Sequence, residues 1–181
     1  MKKREVSIIN FLHLNNEEYY KILEYRNQEF VRKFSKNKNI ISQEEHENYH
    51  KLLEKKDKFF AFLIRVDGKD YGVLNLKQQD ANTYYVGDYL VKEDYKFEGG
   101  GVVNTICLNY ICENLGIKYL FYEILRANTR VFRLGINKIH SQQDNGDSFY
   151  ETVEIVPLKD SSNSKIKKIF DKMYEITNYN Y

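Results

Sequence analysis

The order of apolar and polar positions along the chain predicts a mixture of amphipathic helices and strands. Apolar residues recur every three or four positions over residues 17–35 and 43–56, which is the spacing of an amphipathic helix. Shorter runs rich in β-branched and aromatic residues are typical of strands. Six such strands are predicted, at residues 5–10, 59–66, 70–76, 84–91, 118–125 and 148–155.

Turn and cap residues support two of these boundaries. Ser42 followed by Glu45 is a capping box, which predicts the start of the second helix. Asp67-Gly68 lies between two strand-like runs and is among the strongest short signals for a β-hairpin.

The C-terminal part of the sequence predicts two further helices. Residues 128–139 favour a helix, and apolar residues at helical spacing continue after Pro157 as far as Ile176. The chain is therefore expected to divide into a domain of residues 1–157 and a C-terminal helical extension of residues 158–181.

Three consecutive glycines lie between a predicted strand and a predicted helix. Residues 96–101 read Lys-Phe-Glu-Gly-Gly-Gly, and a stretch with helical spacing continues to Leu115 before Gly116. Glycine lets the backbone turn sharply and lets a ligand approach closely, because it has no Cβ atom. Free N–H groups and the helix dipole then converge on one point, which favours an anion such as a pyrophosphate. The alternative is a surface loop that is merely rich in glycine.

Composition and charge exclude several kinds of protein that this chain could otherwise be. The 181 residues fit one domain with a substantial core, and their net charge of +2 is spread along the chain, so nucleic acid is not the expected partner. No apolar stretch suits a membrane span or a signal peptide, which predicts a cytoplasmic protein with no membrane partner. Cys107 and Cys112 lie five residues apart in one predicted helix and are expected to be small buried residues, so no metal is expected.

Two polar residues share the apolar faces of the first two helices. Arg26 lies one turn from Leu23 and Phe30, and a buried guanidinium needs an anionic partner. That partner is either a neighbouring carboxylate or a phosphate of a ligand, which the planar guanidinium suits. His46 shares the apolar face of the second helix, where a histidine is more often structural than catalytic. Both side chains are expected to point inwards from consecutive helices, which favours a binding site.

The order of elements and several short segments resemble the GNAT superfamily of acyl-CoA-dependent N-acetyltransferases. Residues 96–101 fit the family pattern Gln/Arg-x-x-Gly-x-Gly/Ala with lysine in the first place, and a shift of one residue, with Gly100 as the final glycine, also aligns the helix. Four further segments resemble acetyltransferases that modify UDP-linked amino sugars in pseudaminic-acid synthesis. These segments are residues 23–27, 41–46, 70–76 and 86–89.

This resemblance implies an α/β (α+β) GNAT fold with a central mixed, mostly antiparallel sheet of six to seven strands flanked by helices. It implies acetyl-CoA as cosubstrate and the amine of a UDP-linked amino sugar as acceptor, and it leaves a homodimer open. The acetyl-CoA side is expected at Leu90, Val91, Lys96, Gly99, Gly100, Gly101, Val102 and Asn128. The acceptor side is expected at Arg26, Asn27, His46 and Tyr89.

The resemblance also suggests the catalytic groups. An amine attacks a thioester only when it is unprotonated, so a base must take its proton. Glu123 is the first candidate for that base and Asp88 the second, and the alternative for Glu123 is a solvent-facing strand residue. In the family, a tyrosine at the position of Gly135 acts as general acid and protonates the leaving thiolate. Because this chain has glycine there, Tyr122 and Tyr150 are both candidates for that proton donor.

Two other functions remain open from the sequence. The first keeps the fold and the acyl-CoA but has a protein N-terminus or another small amine as acceptor. Arg26 and His46 count mildly against it. In the second, Gly135 marks a degenerate relative that binds acyl-CoA without catalysis, and the retained glycine loop counts against it.

Overall fold

The structure is a computed structural model that describes residues 2–55, 58–128 and 136–181. Within these residues, eight strands form one sheet in the order β6-β7-β5-β4-β3-β2-β1-β8. The strands are β1 (Arg4–Asn10), β2 (Phe59–Val66), β3 (Lys69–Gln78), β4 (Thr83–Leu90), β5 (Tyr119–Leu125), β6 (Lys138–Asp144), β7 (Ser148–Glu154) and β8 (Tyr174–Asn180). The helices are α1 (Asn16–Asn27), α2 (Glu29–Lys33), α3 (Gln43–Glu54), α4 (Gly100–Leu115) and α5 (Lys165–Met173), with 3₁₀ turns at Phe11–His13 and Glu93–Lys96.

The N-terminal half follows the sequence patterns closely. The capping box of Ser42 and Glu45 is present at the start of α3. Asp67 and Gly68 have φ angles of 50° and 75°, as a tight hairpin turn requires. The helix expected over residues 17–35 is divided into α1 and α2, because Gln28 is extended with ψ of 141°.

Two elements of the C-terminal half differ from the expectation. The helix expected over residues 128–139 is wrong at its end, because Lys138 already belongs to β6; most of its other residues, including Gly135, lie outside the described residues. The C-terminal extension is only partly helical, because α5 ends at Met173 and the chain continues as β8, parallel to β1. With these two additional strands the sheet has eight strands among the described residues, where six to seven were expected. The division of the chain into domains between residues 157 and 158 stays a prediction.

The two faces of the sheet carry different layers. Helices α4 and α5 cover one face with the larger apolar core, in which Val103 and Ile106 are at most 1 % exposed. Helices α1 and α3 cover part of the other face with a smaller core that includes Ile22 and Leu53. Among the described residues, no helix is long and apolar enough to cross a membrane.

The functional geometry arises where β4 and β5 separate. These neighbouring strands run parallel, and their pairing is limited to Thr83 with Tyr119, Tyr84 with Leu120, and Tyr85 with Phe121. The rest of β4 and of β5, which the structure describes in full, diverges beyond the last pair. The sheet therefore opens into a gap whose two edges are strands.

Candidate active site

A cavity of about 460 Å³ lies on the α1 and α3 side of this gap. Its walls come from α1, α3, the connection between α2 and α3, and strands β3 and β4. The polar and charged residues that line it are Arg26, Ser35, Lys36, Asn37, Glu45, His46, Tyr49, Asn75, Lys77, Tyr85, Asp88 and Tyr89.

Glu123 lies at the edge of this cavity, behind Lys36. Its neighbour on β5, Phe121, packs near Tyr85 of the cavity wall at 6.1 Å between ring centroids. Side chains two residues apart on a strand share a face, so Glu123 faces the cavity side of the sheet. Its carboxylate accepts a hydrogen bond from Lys36 Nζ at 2.8 Å, and the Glu123 side chain is only 11 % exposed. This placement argues against the alternative of a solvent-facing strand residue.

Asp88 points to the opposite face, towards α4. Its strand neighbour Val86 belongs to the core under α4, and Asn104 of α4 lies within hydrogen-bonding reach of the Asp88 carboxyl. Although water reaches Asp88, the surrounding protein raises the pKa of its carboxyl, and the Asn104 amide offsets part of that rise. The two candidate bases therefore lie on different faces of the sheet.

The two candidate proton donors are also on different faces. Tyr122 packs against the core under α4, and burial, with a smaller effect of Asp88, raises the pKa of its phenol well above the usual value. Its hydroxyl therefore stays protonated, as an acid must. Tyr150 lies on the other face beside Phe121, and its hydroxyl accepts a hydrogen bond from Asn145.

Arg26 is the most distinctive charge in the cavity wall. Its Nη2 donates to the backbone carbonyl of Asn37 at 2.8 Å, while its buried Nη1 has no partner in the part of the chain that the structure describes. Burial lowers the pKa of Arg26, although the guanidinium remains charged. An unpaired buried donor on a cation is costly, so this atom is suited to an anionic ligand.

His46 is held as a structural residue. Its Nε2 donates to the Tyr19 carbonyl at 3.0 Å, the Tyr19 hydroxyl donates to the His46 carbonyl at 2.8 Å, and the two rings stack. Burial lowers the pKa of His46, so its neutral form joins α1 to α3. The ring still lines the cavity, and its role in acceptor binding stays a prediction.

Asn27 and Tyr89 occupy different positions with respect to the cavity. The Asn27 amide both donates to and accepts from the backbone of Ile41, which fixes the segment between α2 and α3 rather than lining the cavity. Tyr89 lines the cavity, and burial raises the pKa of its phenol.

The glycine loop forms the N-terminus of α4. Gly99 is the N-cap with φ of 87°, a left-handed conformation that favours glycine. The first N–H groups of a helix have no partner within it, and the first turn of α4 carries no acidic residue. A Cβ atom on Gly100 would lie 2.7 Å from both the Leu90 side chain and the Tyr95 carbonyl. The glycine at position 100 is therefore required by close packing.

Two tyrosine hydroxyls hold the residue just before this loop. Tyr71 of β3 and Tyr174 of β8 both donate to the Glu98 carbonyl at 3.1 Å, and the guanidinium of Arg4 lies 6.0 and 5.8 Å from their ring centroids. Tyr174 is 1 % exposed and comes from the C-terminal extension. No local sequence signal marks it, because the contact spans 76 residues.

Known acetyltransferases resemble this chain in sequence and in fold. No protein-family model matches the chain. The acetyltransferase PseH of Campylobacter jejuni is 27 % identical over 145 residues, which span 80 % of this chain and 90 % of that protein. The crystal structure of the same organism's N-acetyltransferase PseH with acetyl coenzyme A has a TM-score of 0.60 and 19 % identity, and covers 83 % of this chain and 99 % of that one. A GNAT-family acetyltransferase from Streptococcus pneumoniae has a TM-score of 0.65 and 16 % identity, with 83 % and 99 % covered.

The chain has the fold of the GNAT acetyltransferases. The expected resemblance to this superfamily is confirmed, and with it the expected class of enzyme, an acetyl-CoA-dependent N-acetyltransferase.

The backbone groups around the gap are chemically suited to the acetyl-CoA that the resemblance led us to expect. The free amides at the start of α4, those of Gly100, Gly101 and Val102, suit a pyrophosphate. Val91 already donates its N–H to the Tyr71 carbonyl at 3.1 Å. Strand residues alternate in the direction of their N–H groups, so the N–H of Leu90 is directed away from β3 and into the gap.

Two other residues expected on the acetyl-CoA side lie at the margins of this surface. Lys96 pairs with Glu93 in the 3₁₀ turn before the loop. Asn128 donates its backbone N–H to Leu125 at 2.7 Å and directly precedes residues outside the described part of the chain. Their roles in acetyl-CoA binding stay predictions.

Proposed function

We propose that the protein transfers the acetyl group of acetyl-CoA to the primary amine of a nucleotide-linked amino sugar. The observation that carries this proposal is the unpaired, buried Nη1 of Arg26 in the wall of a cavity of about 460 Å³ beside the gap. A diphosphate would meet that donor with charge-assisted hydrogen bonds, which are the strong ones. The relative from C. jejuni is named an acetyltransferase, and its solved structure contains acetyl-CoA, which supports the donor side.

Charges in the cavity agree with an anionic acceptor. Arg26, Lys36 and Lys77 line it together with one acidic side chain at its opening, Glu45, and with Asp88, whose carboxyl is directed to α4. Lys36 is paired with Glu123, which leaves Arg26 and Lys77 as the cations that face a ligand. A free amino sugar is cationic and gains nothing from them, whereas a nucleotide diphosphate offsets their charge. A nucleotide-linked sugar can place its phosphates at Arg26 and its amine near the gap.

The chemistry then uses the two faces of the gap separately. Glu123 is placed to take a proton from the acceptor ammonium once Lys36 has moved away from it. The N–H of Leu90 is directed into the gap, where it can stabilise the developing oxyanion of the thioester carbonyl. Tyr122 is a protonated phenol on the α4 side, and we assign to it the return of a proton to the leaving thiolate.

The proposal is tested by comparing two acceptors that differ only in the nucleotide. Release of free CoA thiol is measured with a UDP-linked amino sugar and with the same amino sugar alone. Loss of a charge-assisted hydrogen bond is worth about 1.5–3 kcal/mol, so the UDP-linked acceptor should have a KM lower by roughly ten- to a hundredfold. Arg26→Ala should remove that preference and leave the KM for acetyl-CoA unchanged.

Arg32→Ala is the matched control. Arg32 also donates to the segment between α2 and α3, at the Lys38 carbonyl, but it does not line the cavity. If both alanine variants have the same effect, Arg26 only orders that segment. If neither acceptor reacts while acetyl-CoA still binds, the proposed acceptor is wrong, and the acceptor is another amine or the chain binds acetyl-CoA without catalysis.

A further inference from the structure

Lys36 places a primary amine where the acceptor amine is expected. Its Nζ lies 2.8 Å from Glu123 Oε2, and this side chain lines the cavity. The hydrogen bond to Glu123 raises the pKa of the Lys36 ammonium, as it would for an acceptor ammonium on the same carboxylate. In this geometry, the candidate base already holds an amine of the chain itself.

We propose that Lys36 is a self-acetylation site, modified by acetyl-CoA bound to the same molecule when no acceptor is present. This inference rests on the proposed function, because it uses the same donor and the same base. Glu123 takes one proton from the Lys36 ammonium, and the neutral Nζ attacks the thioester carbonyl carbon. The C–N bond forms and the C–S bond breaks. CoA leaves as a thiolate that takes up a proton, so the products are acetyl-lysine, CoA thiol and one released proton.

The segment that carries Lys36 allows the amine to leave Glu123 and approach the thioester. Its backbone is tied to the first two helices: Arg26 binds the Asn37 carbonyl, Arg32 binds the Lys38 carbonyl and Asn27 binds Ile41. The Lys36 side chain itself is 72 % exposed, so its flexible stem is not locked by packing. An anchored backbone with a free side chain keeps the amine near the gap and lets it leave the carboxylate.

Lys77 provides a natural comparison within the same cavity. It also lines the cavity, but its Nζ lies 5.4 Å from the centroid of the Phe59 ring and not on Glu123. If acetylation followed only from exposure of a lysine to acetyl-CoA, both lysines would react. The base makes the difference, so Lys36 alone is expected to react quickly.

The experiment incubates the full chain with acetyl-CoA and no acceptor, and follows acetylation of each lysine by peptide mass spectrometry. Lys36 should be modified with a first-order rate that does not depend on protein concentration, and Lys77 should lag far behind. Glu123→Gln should slow the modification of Lys36 by about 10²-fold or more, as expected for loss of a positioned base. Lys36→Arg keeps the charge beside Glu123 and should remove the rapid modification altogether.

A thermal-shift measurement with free CoA separates the two possible failures. A rise in Tm with CoA, together with Lys36 unmodified or modified no faster than Lys77, would overturn the self-acetylation site and leave the proposed function standing. No rise in Tm and no acetylation would overturn both. A rate that increases with protein concentration would mean transfer between molecules, which contradicts the proposed transfer within one molecule.

Discussion

Glu123 on β5 and Asp88 on β4 are the two carboxylates beside the open gap, and they differ in their surroundings. Glu123 faces the cavity side and is paired with the exposed ammonium of Lys36. Asp88 faces α4, where the surrounding protein raises the pKa of its carboxyl although water still reaches the side chain. The comparison teaches that the carboxylate on the cavity face is held by a charged partner that can be exchanged, whereas the carboxylate on the α4 face lies beside a neutral amide, that of Asn104. A base must exchange its partner for an acceptor ammonium, so Glu123 fits that role better than Asp88.

The largest expected effect distinguishes these two carboxylates. Glu123→Gln keeps the shape of the side chain but removes the base, so kcat on the true acceptor should fall by about 10²- to 10⁴-fold. Asp88→Asn should lower kcat by less than about tenfold, below the range for a positioned base. Steady-state kinetics of both variants on one acceptor check the assignment, and the reverse order would make Asp88 the base.

The next largest effect concerns the glycine loop at the start of α4, where the pyrophosphate of acetyl-CoA is expected to bind. Gly101→Asp places a carboxylate in the first turn of α4, where it would stabilise the helix by about 0.3–1 kcal/mol. The same charge would repel a pyrophosphate at about 5 Å by about 3 kcal/mol at an effective dielectric constant of about 20, or roughly a hundredfold in Kd. Calorimetry with free CoA measures this loss.

Gly101→Asn is the control for that variant, because it adds nearly the same volume without the charge. If both variants lose CoA equally, the effect is steric. If neither loses it, the pyrophosphate lies elsewhere.

A smaller effect is expected from the hydroxyl that holds the loop from the C-terminal strand. Tyr174→Phe removes one hydrogen bond to the Glu98 carbonyl, worth about 0.5–1.5 kcal/mol, and should raise the KM for acetyl-CoA by about two- to tenfold. The acceptor KM should not change. Tyr179→Phe is the control on the same strand, because its buried hydroxyl has no partner within the described residues. An equal response of both variants would assign Tyr174 to general stability.

The smallest effect tests the raised pKa of the Asp88 carboxyl through the dependence of stability on pH. Its raised pKa means that the folded state binds the proton more tightly than the unfolded state does. The corresponding stabilisation is present at low pH and is lost as the pH rises through the folded pKa. Asp88→Asn should therefore have a higher Tm than the parent at pH 7, and the difference should shrink below about pH 4. A difference that is constant with pH would contradict this interpretation.

Local signals explain which parts of the fold were predictable from the sequence. The hairpin at Asp67-Gly68 and the cap at Ser42 are encoded in neighbouring residues, and both are confirmed. Strand β6 is exposed along its length and mostly polar, so it has no alternating pattern to detect. In β8, Ile176 continues the helical spacing of α5, and only pairing with β1 makes it a strand.

The site was predictable to a similar extent. Arg26 was identified because a charge on an apolar helical stripe is anomalous in itself. The pairing of Lys36 with Glu123 spans 87 residues, and no local pattern records such a contact. That the Leu90 N–H points into the gap likewise follows only from where the pairing of β4 with β5 ends.

The most direct test of the account is a calorimetric titration that crosses two variants with two ligands. Free CoA and the UDP-linked amino sugar are each titrated into Gly101→Asp and Arg26→Ala. The account predicts that Gly101→Asp loses CoA and keeps the acceptor, and that Arg26→Ala loses the acceptor and keeps CoA. Loss of both ligands in either variant, with the variant still folded, would contradict the separation of donor and acceptor on the two sides of the gap.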